Sequence, residues 1–110
     1  MGALSIRETG TKLEYKFGFT RRDSRDTMFE LWIAGKKVAL TKTSHEGSGK
    51  GEIGDTLQAM MAKQTNMPSR KCFYDGIKCT YSKRQYYEHL ATVHPDHKDA
   101  ILAVIADEPA

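Results

Sequence analysis

Apolar and polar residues alternate through Thr27-Met28-Phe29-Glu30-Leu31-Trp32-Ile33 and again through Lys37-Val38-Ala39-Leu40-Thr41, with Ala34-Gly35-Lys36 between the two runs. Period two on either side of a short glycine-bearing connection predicts an antiparallel hairpin. Phe29, Leu31 and Ile33 fall on one face and meet Val38 and Leu40 across the ladder, so this is the expected core side. Glu30 and Trp32 point the other way. The single tryptophan of the chain is expected to be covered there by a C-terminal element, the alternative being an exposed aromatic platform.

Upstream of the hairpin two periods compete. Leu13, Tyr15, Phe17 and Phe19 alternate as in a strand, whereas Ile6, Leu13 and Phe17 share one helical stripe. A helix over 5–17 followed by a strand over 19–22 makes Ser5-x-x-Glu8 a capping box and Gly18 a helix stop, with Gly10 a weak point. Downstream, Asp55 and Gln58 read as a second capping box, and Leu57, Met60, Met61 and Gln64 follow at helical spacing until Asn66 and Pro68. Ser69 opens a short helix closed by Gly76. Ser82-x-x-Gln85 caps another, with Tyr86, Leu90 and Val93 on its inner stripe. His94-Pro95 starts a last helix carrying Ile101, Val104 and Ile105. The expected fold is α+β: an α-β-β-β-α core with an antiparallel sheet over residues 1–67, then a helical extension over 68–110 packed on that core.

Composition narrows the setting. The chain has 110 residues, of which 28% are charged, and a net charge of +3, a mildly basic surface that falls short of a strong polyanion footprint. No apolar run approaches the roughly 18 residues that span a bilayer, and the N-terminal residues lack the apolar core of a signal peptide. The expectation is a cytoplasmic protein with no membrane partner. Two cysteines argue against a disulfide scaffold.

The junction from Thr41 to Asp55 concentrates the candidate chemistry. It joins a strand exit, His45, a glycine-rich basic loop and a helix start, a combination suited to an anionic ligand. Lys42, Ser44, His45, Ser48 and Lys50 are the expected nucleic-acid contacts, extended by Arg21 and Arg22. Three roles fit His45: bracing the loop, touching RNA, or taking a proton from a ribose 2′-hydroxyl while Lys42 or Lys50 stabilises the phosphorane charge. That last role needs no cofactor. Cys72, Cys79, His89 and His94 have the residue types of a zinc site. Their spacing departs from that of zinc fingers, and the two histidines would point roughly 140° apart on one helix, so no metal is expected.

An α-β-β-β-α order with a basic loop before the last core helix is similar to the double-stranded-RNA-binding fold. The runs 29–38, Thr41-Lys42-Thr43-Ser44-His45, Ile53-Gly54-Asp55 and Met61-Ala62-Lys63-Gln64 resemble the small prokaryotic HicA toxins. So do Lys12-Leu13-Glu14 with Phe17-Gly18-Phe19, and Cys79 before Tyr81-Ser82 and Tyr86-Tyr87. The resemblance spans residues 6 to 90. It implies a metal-independent ribonuclease of a toxin–antitoxin system, acting on messenger RNA and silenced by a partner protein. In those toxins the catalytic histidine sits in a Gly-Ser-His segment at the start of the first strands. The corresponding stretch here, Asp23-Ser24-Arg25-Asp26-Thr27-Met28-Phe29, has none, which leaves His45 as the nearby substitute. A different class of function also fits: a non-catalytic interaction module or an inhibitor in phage or host defence, with Trp32, the tyrosines and the last helix meeting a protein partner or a second copy of the chain.

Overall fold

A serine three residues ahead of a glutamate starts the first helix. The computed structural model describes residues 2–43, 51–78 and 80–106. A short strand, Leu4–Ser5 (β1), leads into the helix Ile6–Thr11 (α1), and the Ser5 hydroxyl accepts the Glu8 amide at 3.1 Å. The helix continues through Lys12–Lys16 as a π-helical turn, wound wide enough for the Phe17 amide to reach the Lys12 carbonyl at 3.0 Å. Gly18 then takes φ +84°, which a residue with a Cβ resists, and the chain leaves as the strand Thr20–Asp23 (β2). The helix over 5–17 and its glycine stop agree with the expectation.

The alternating runs form Thr27–Ile33 (β3) and Lys36–Thr43 (β4), and β2, β3 and β4 make an antiparallel sheet in that order. Only Ala34 and Gly35 separate the hairpin strands, with φ +52° and +79°. Positive φ at both positions matches the right-handed twist of the strands, but a left-handed alanine costs about 1–2 kcal/mol. Ala34→Asn is therefore expected to raise the unfolding free energy by about 0.5–1 kcal/mol, read as a higher urea midpoint with an unchanged slope.

One residue of the predicted core face is misplaced. The register jumps between Leu31, opposite Ala39, and Trp32, opposite Lys37, so Val38 is the extra residue of a bulge. Ala39 thereby takes the core position facing Leu31. Leu40 instead pairs with Glu30 on the opposite face and is only half-buried.

Glu52–Ile53 (β5) pairs antiparallel with β1, Leu4 facing Ile53, and forms a second, two-stranded sheet. The helix Asp55–Gln64 (α2) follows, with Gly54 as an N-cap that has no side chain to offer. The predicted capping box does not form. Gln58 turns into the protein, where its amide donates to the carbonyls of Gly2 at 3.0 Å and Ile53 at 2.9 Å. This rotates the buried stripe onto Gln58, Met61, Ala62 and Thr65. Leu57 and Met60, expected inside, are 47% and 46% exposed. Asn66, at φ +62°, ends the helix and donates its amide to the Val38 carbonyl at 3.2 Å.

Three further helices follow: Arg70–Lys78 (α3), Lys83–Val93 (α4) and, after a 3-10 turn at Pro95–His97, Lys98–Val104 (α5). The Ser69 hydroxyl accepts the Cys72 amide, and Ser82 and Gln85 form the complete capping box. Gly76 does not close α3. It lies inside the helix, where a Cβ would stand 3.0 Å from the Phe17 ring. Tyr87 and Ala91 join Tyr86 and Leu90 in the interior, while Val93 and Val104 stay exposed. Ile101 and Ile105 are buried as α5 packs on α4, whereas Leu102 is half-buried and Ala103 and Val104 are exposed, so the apolar run 101–105 is covered only in part.

At the centre stands Tyr86. Its ring meets Phe17 edge-on at 5.3 Å between centroids, stacks with Phe19 at 6.2 Å and meets Tyr87 edge-on at 5.7 Å. Both tyrosine hydroxyls cross to the N-terminal part of the chain, Tyr86 donating to the Thr65 carbonyl and Tyr87 to the Phe17 carbonyl, each at 2.6 Å. The architecture is mixed α+β, with a three-stranded antiparallel sheet, a two-stranded ribbon and five α-helices among the described residues.

Candidate functional site

Of the expected contacts, Ser44, His45, Ser48 and Lys50 lie outside the described residues, as does Cys79. Lys42, Arg21 and Arg22 lie within them. Arg21 and Arg22 are neighbours on one strand and so face opposite sides of the sheet. The Arg21 guanidinium bonds Glu14 at 3.1 Å and sits 5.2 Å from the Phe29 ring, on the side of the core. Arg22 belongs to the other face. Pairing places Arg22, Met28 and Lys42 in one row across the three strands, Thr20, Glu30 and Leu40 in the next, and Trp32 with Lys37 beyond them.

This face is open. Trp32 is 50% exposed, contrary to the expectation that a C-terminal element covers it. The helices bury Phe29, Leu31 and Ile33 on the other side of the sheet, and the apolar segments of α4 and α5 are spent on that shared core. Around Trp32 the polar groups form a connected set. Its indole N–H donates to Glu30 Oε1 at 3.2 Å, Arg22 donates to Glu30 Oε2 at 2.9 Å, and Lys37 Nζ lies 3.8 Å from the same oxygen. The Lys37 ammonium is also 5.8 Å from the centre of the Trp32 ring, within cation–π range. Lys42 reaches Asp26 at 3.5 Å.

Glu30 is only 8% exposed and holds this arrangement together. The Trp32 indole hydrogen bond, with the charges of Arg22 and Lys37, keeps its carboxyl below the usual range even though desolvation pulls the other way. A carboxyl whose folded pKa is depressed stabilises the fold above its unfolded pKa, and that contribution disappears as the pH falls through the lowered value. Wild-type protein is therefore expected to lose melting temperature more steeply than Glu30→Gln on acidification from about pH 6 to about pH 3. Parallel acid limbs would remove Glu30 from this role.

The four residues weighed as zinc ligands do not form a described cluster. His94 points Nε2 at the Val38 carbonyl at 3.2 Å, where Asn66 also donates, so both side chains close the free edge of β4. Cys72 is a free thiol, and among the described residues no three His, Cys, Asp or Glu side chains come together as metal ligands.

The chain matches no family model, and no curated protein or solved structure is detectably similar to it. The site is therefore read from its own geometry. Sequence reasoning grouped Arg21 with Arg22 and did not include Glu30 or Lys37. The alternation that sent Trp32 outward was the available signal for both omissions, since residues two apart on a strand share a face. Among the described residues no helix is long and apolar enough to cross a membrane.

Proposed function

We propose that the protein binds nucleic acid, with RNA the ligand class implied by the resemblance, through the open face of the β2–β3–β4 sheet. The observation that carries this reading is the half-exposed Trp32 ring on a strand face that also presents Arg22, Lys37 and Lys42. An exposed indole stacks on any unpaired base, and cations on the strands to either side meet the flanking phosphates. A duplex hides its base faces, so the ring suits single-stranded rather than double-stranded RNA. Glu30 serves the site by fixing the indole edge, which lowers the entropy lost when a base stacks on the ring. The two carboxylates on this surface temper its charge, so the expected affinity is moderate and salt-sensitive. Binding is the whole of the proposal, and no catalytic step is assigned to His45.

The sole tryptophan gives a direct assay, because every change in indole emission reports this face. Titration with oligouridylate is expected to quench Trp32, with an affinity that falls as salt rises, and a duplex of equal length is expected to quench it less. Absence of both quenching and binding at low salt would overturn the reading.

A further inference from the structure

A second surface lies where α2 meets the β1–β5 ribbon. Ile6, Ile53 and Met61 line a cleft of about 270 Å³, and Leu57 and Met60 form its lip. These last two are the residues that helical spacing assigns to the core and that the inward turn of Gln58 leaves outside. The cleft is smaller than the about 300–1,000 Å³ usual for small-molecule sites, yet large enough for an anchoring side chain. Its lip carries an unbranched thioether, which adapts to different apolar shapes.

The rim decides what kind of molecule fits. Asp26 is matched by Lys42 at 3.5 Å, whereas Glu52 is exposed and has no ion-pair partner among the described residues. Among the described residues, Glu52 is thus the one rim charge without an opposite partner, beside an apolar cleft in a chain whose net charge is +3. On the Glu52 side of this rim, away from Lys42, a cationic group beside an apolar anchor is favoured over phosphate.

We infer that this cleft docks a short segment of another protein that presents a leucine, methionine or phenylalanine next to a lysine or arginine. The anchor fills the space between Ile53, Met60 and Met61, and the basic neighbour meets the Glu52 carboxylate. The contact area is small, so the interaction is weak and reversible. Lys42 borders both surfaces, but the inference does not depend on the nucleic-acid reading, which concerns the sheet face around Trp32.

A random dodecapeptide phage library panned on the immobilised full-length protein tests this without presupposing a partner. The expected consensus places a large apolar residue beside Lys or Arg, and a synthetic peptide of that sequence should bind in a fluorescence-polarisation titration. Met60→Asp and Leu57→Asp are each expected to weaken that peptide by about tenfold, and Glu52→Lys by a smaller factor that exchanging the peptide's basic residue for Glu reproduces in the wild type. Because Leu57 and Met60 are nearly half exposed, melting temperatures should stay close to that of the wild type. An acidic consensus, no consensus, or a peptide that binds Met60→Asp as well as wild type overturns the inference. So does a concentration-dependent dimer that Met60→Asp dissolves in sedimentation velocity, since the occupant would then be a second copy of the chain.

Discussion

Trp32→Ala is expected to lower the affinity for single-stranded RNA by about five- to a hundredfold, the range that loss of one stacked base produces. The loss should be nearly the same at low and high salt, because the substitution removes a stacking surface and no cation, so the salt slope is kept. Trp32→Phe should retain part of the affinity: a smaller ring remains for the base, but the N–H that Glu30 accepts is gone. Half of the indole is already in water, so the alanine variant should stay folded, and a circular dichroism melt alongside the titration separates the two effects. An unchanged affinity in Trp32→Ala would falsify the stacking role of this face.

The second large effect is on stability. Tyr86 is fully buried among Phe17, Phe19 and Tyr87, and truncation to alanine is expected to cost about 3–5 kcal/mol. That is a large share of the about 5–15 kcal/mol that holds a small domain together, so Tyr86→Ala should be largely unfolded at physiological temperature. Tyr86→Phe isolates the hydroxyl, which bridges α4 to the end of α2 through the Thr65 carbonyl at 2.6 Å. Leaving that carbonyl without its donor is expected to cost about 1–3 kcal/mol in urea unfolding. Burial pushes the phenol well above its usual pKa, so the hydroxyl remains a donor across the working pH range. If Tyr86→Ala melted like the wild type, the shared core of the sheet and the C-terminal helices would be wrong.

Much of the fold was legible along the chain because the signals are local. Ser5 before Glu8, Ser82 before Gln85, Asn66 ahead of Pro68 and Gly18 after an apolar stripe act through hydrogen bonds and φ angles within a few residues, and each stands where it was expected. The hairpin was legible for the same reason, since period two over seven residues admits one reading. Gly76 shows where local reasoning fails. As a sequence signal it resembles a helix stop, but what makes a small residue favourable there is the Phe17 ring packed close against it, far away in the chain.

The candidate site was legible only in part. Alternation alone sends Glu30, Trp32 and Lys37 to the face away from the core. Whether anything covers Trp32 depends on where the C-terminal helices find apolar partners, a competition no local pattern records. The glycine-rich junction around His45 and Lys50 lies outside the described residues, whereas Lys42 stands in a row with Met28 and Arg22 that only strand register assembles.

Amino-acid order therefore sets most of the helices and strands and the inward face of β3, because caps, turns and periodicity are interactions between near neighbours. Tertiary packing decides the rest: the bulge that moves Leu40 off the core, the burial of Gln58 that turns Leu57 and Met60 outward, and the exposure of Trp32. Each depends on which distant surfaces meet and which buried polar groups must find partners. Both candidate binding surfaces arise from that second set of choices.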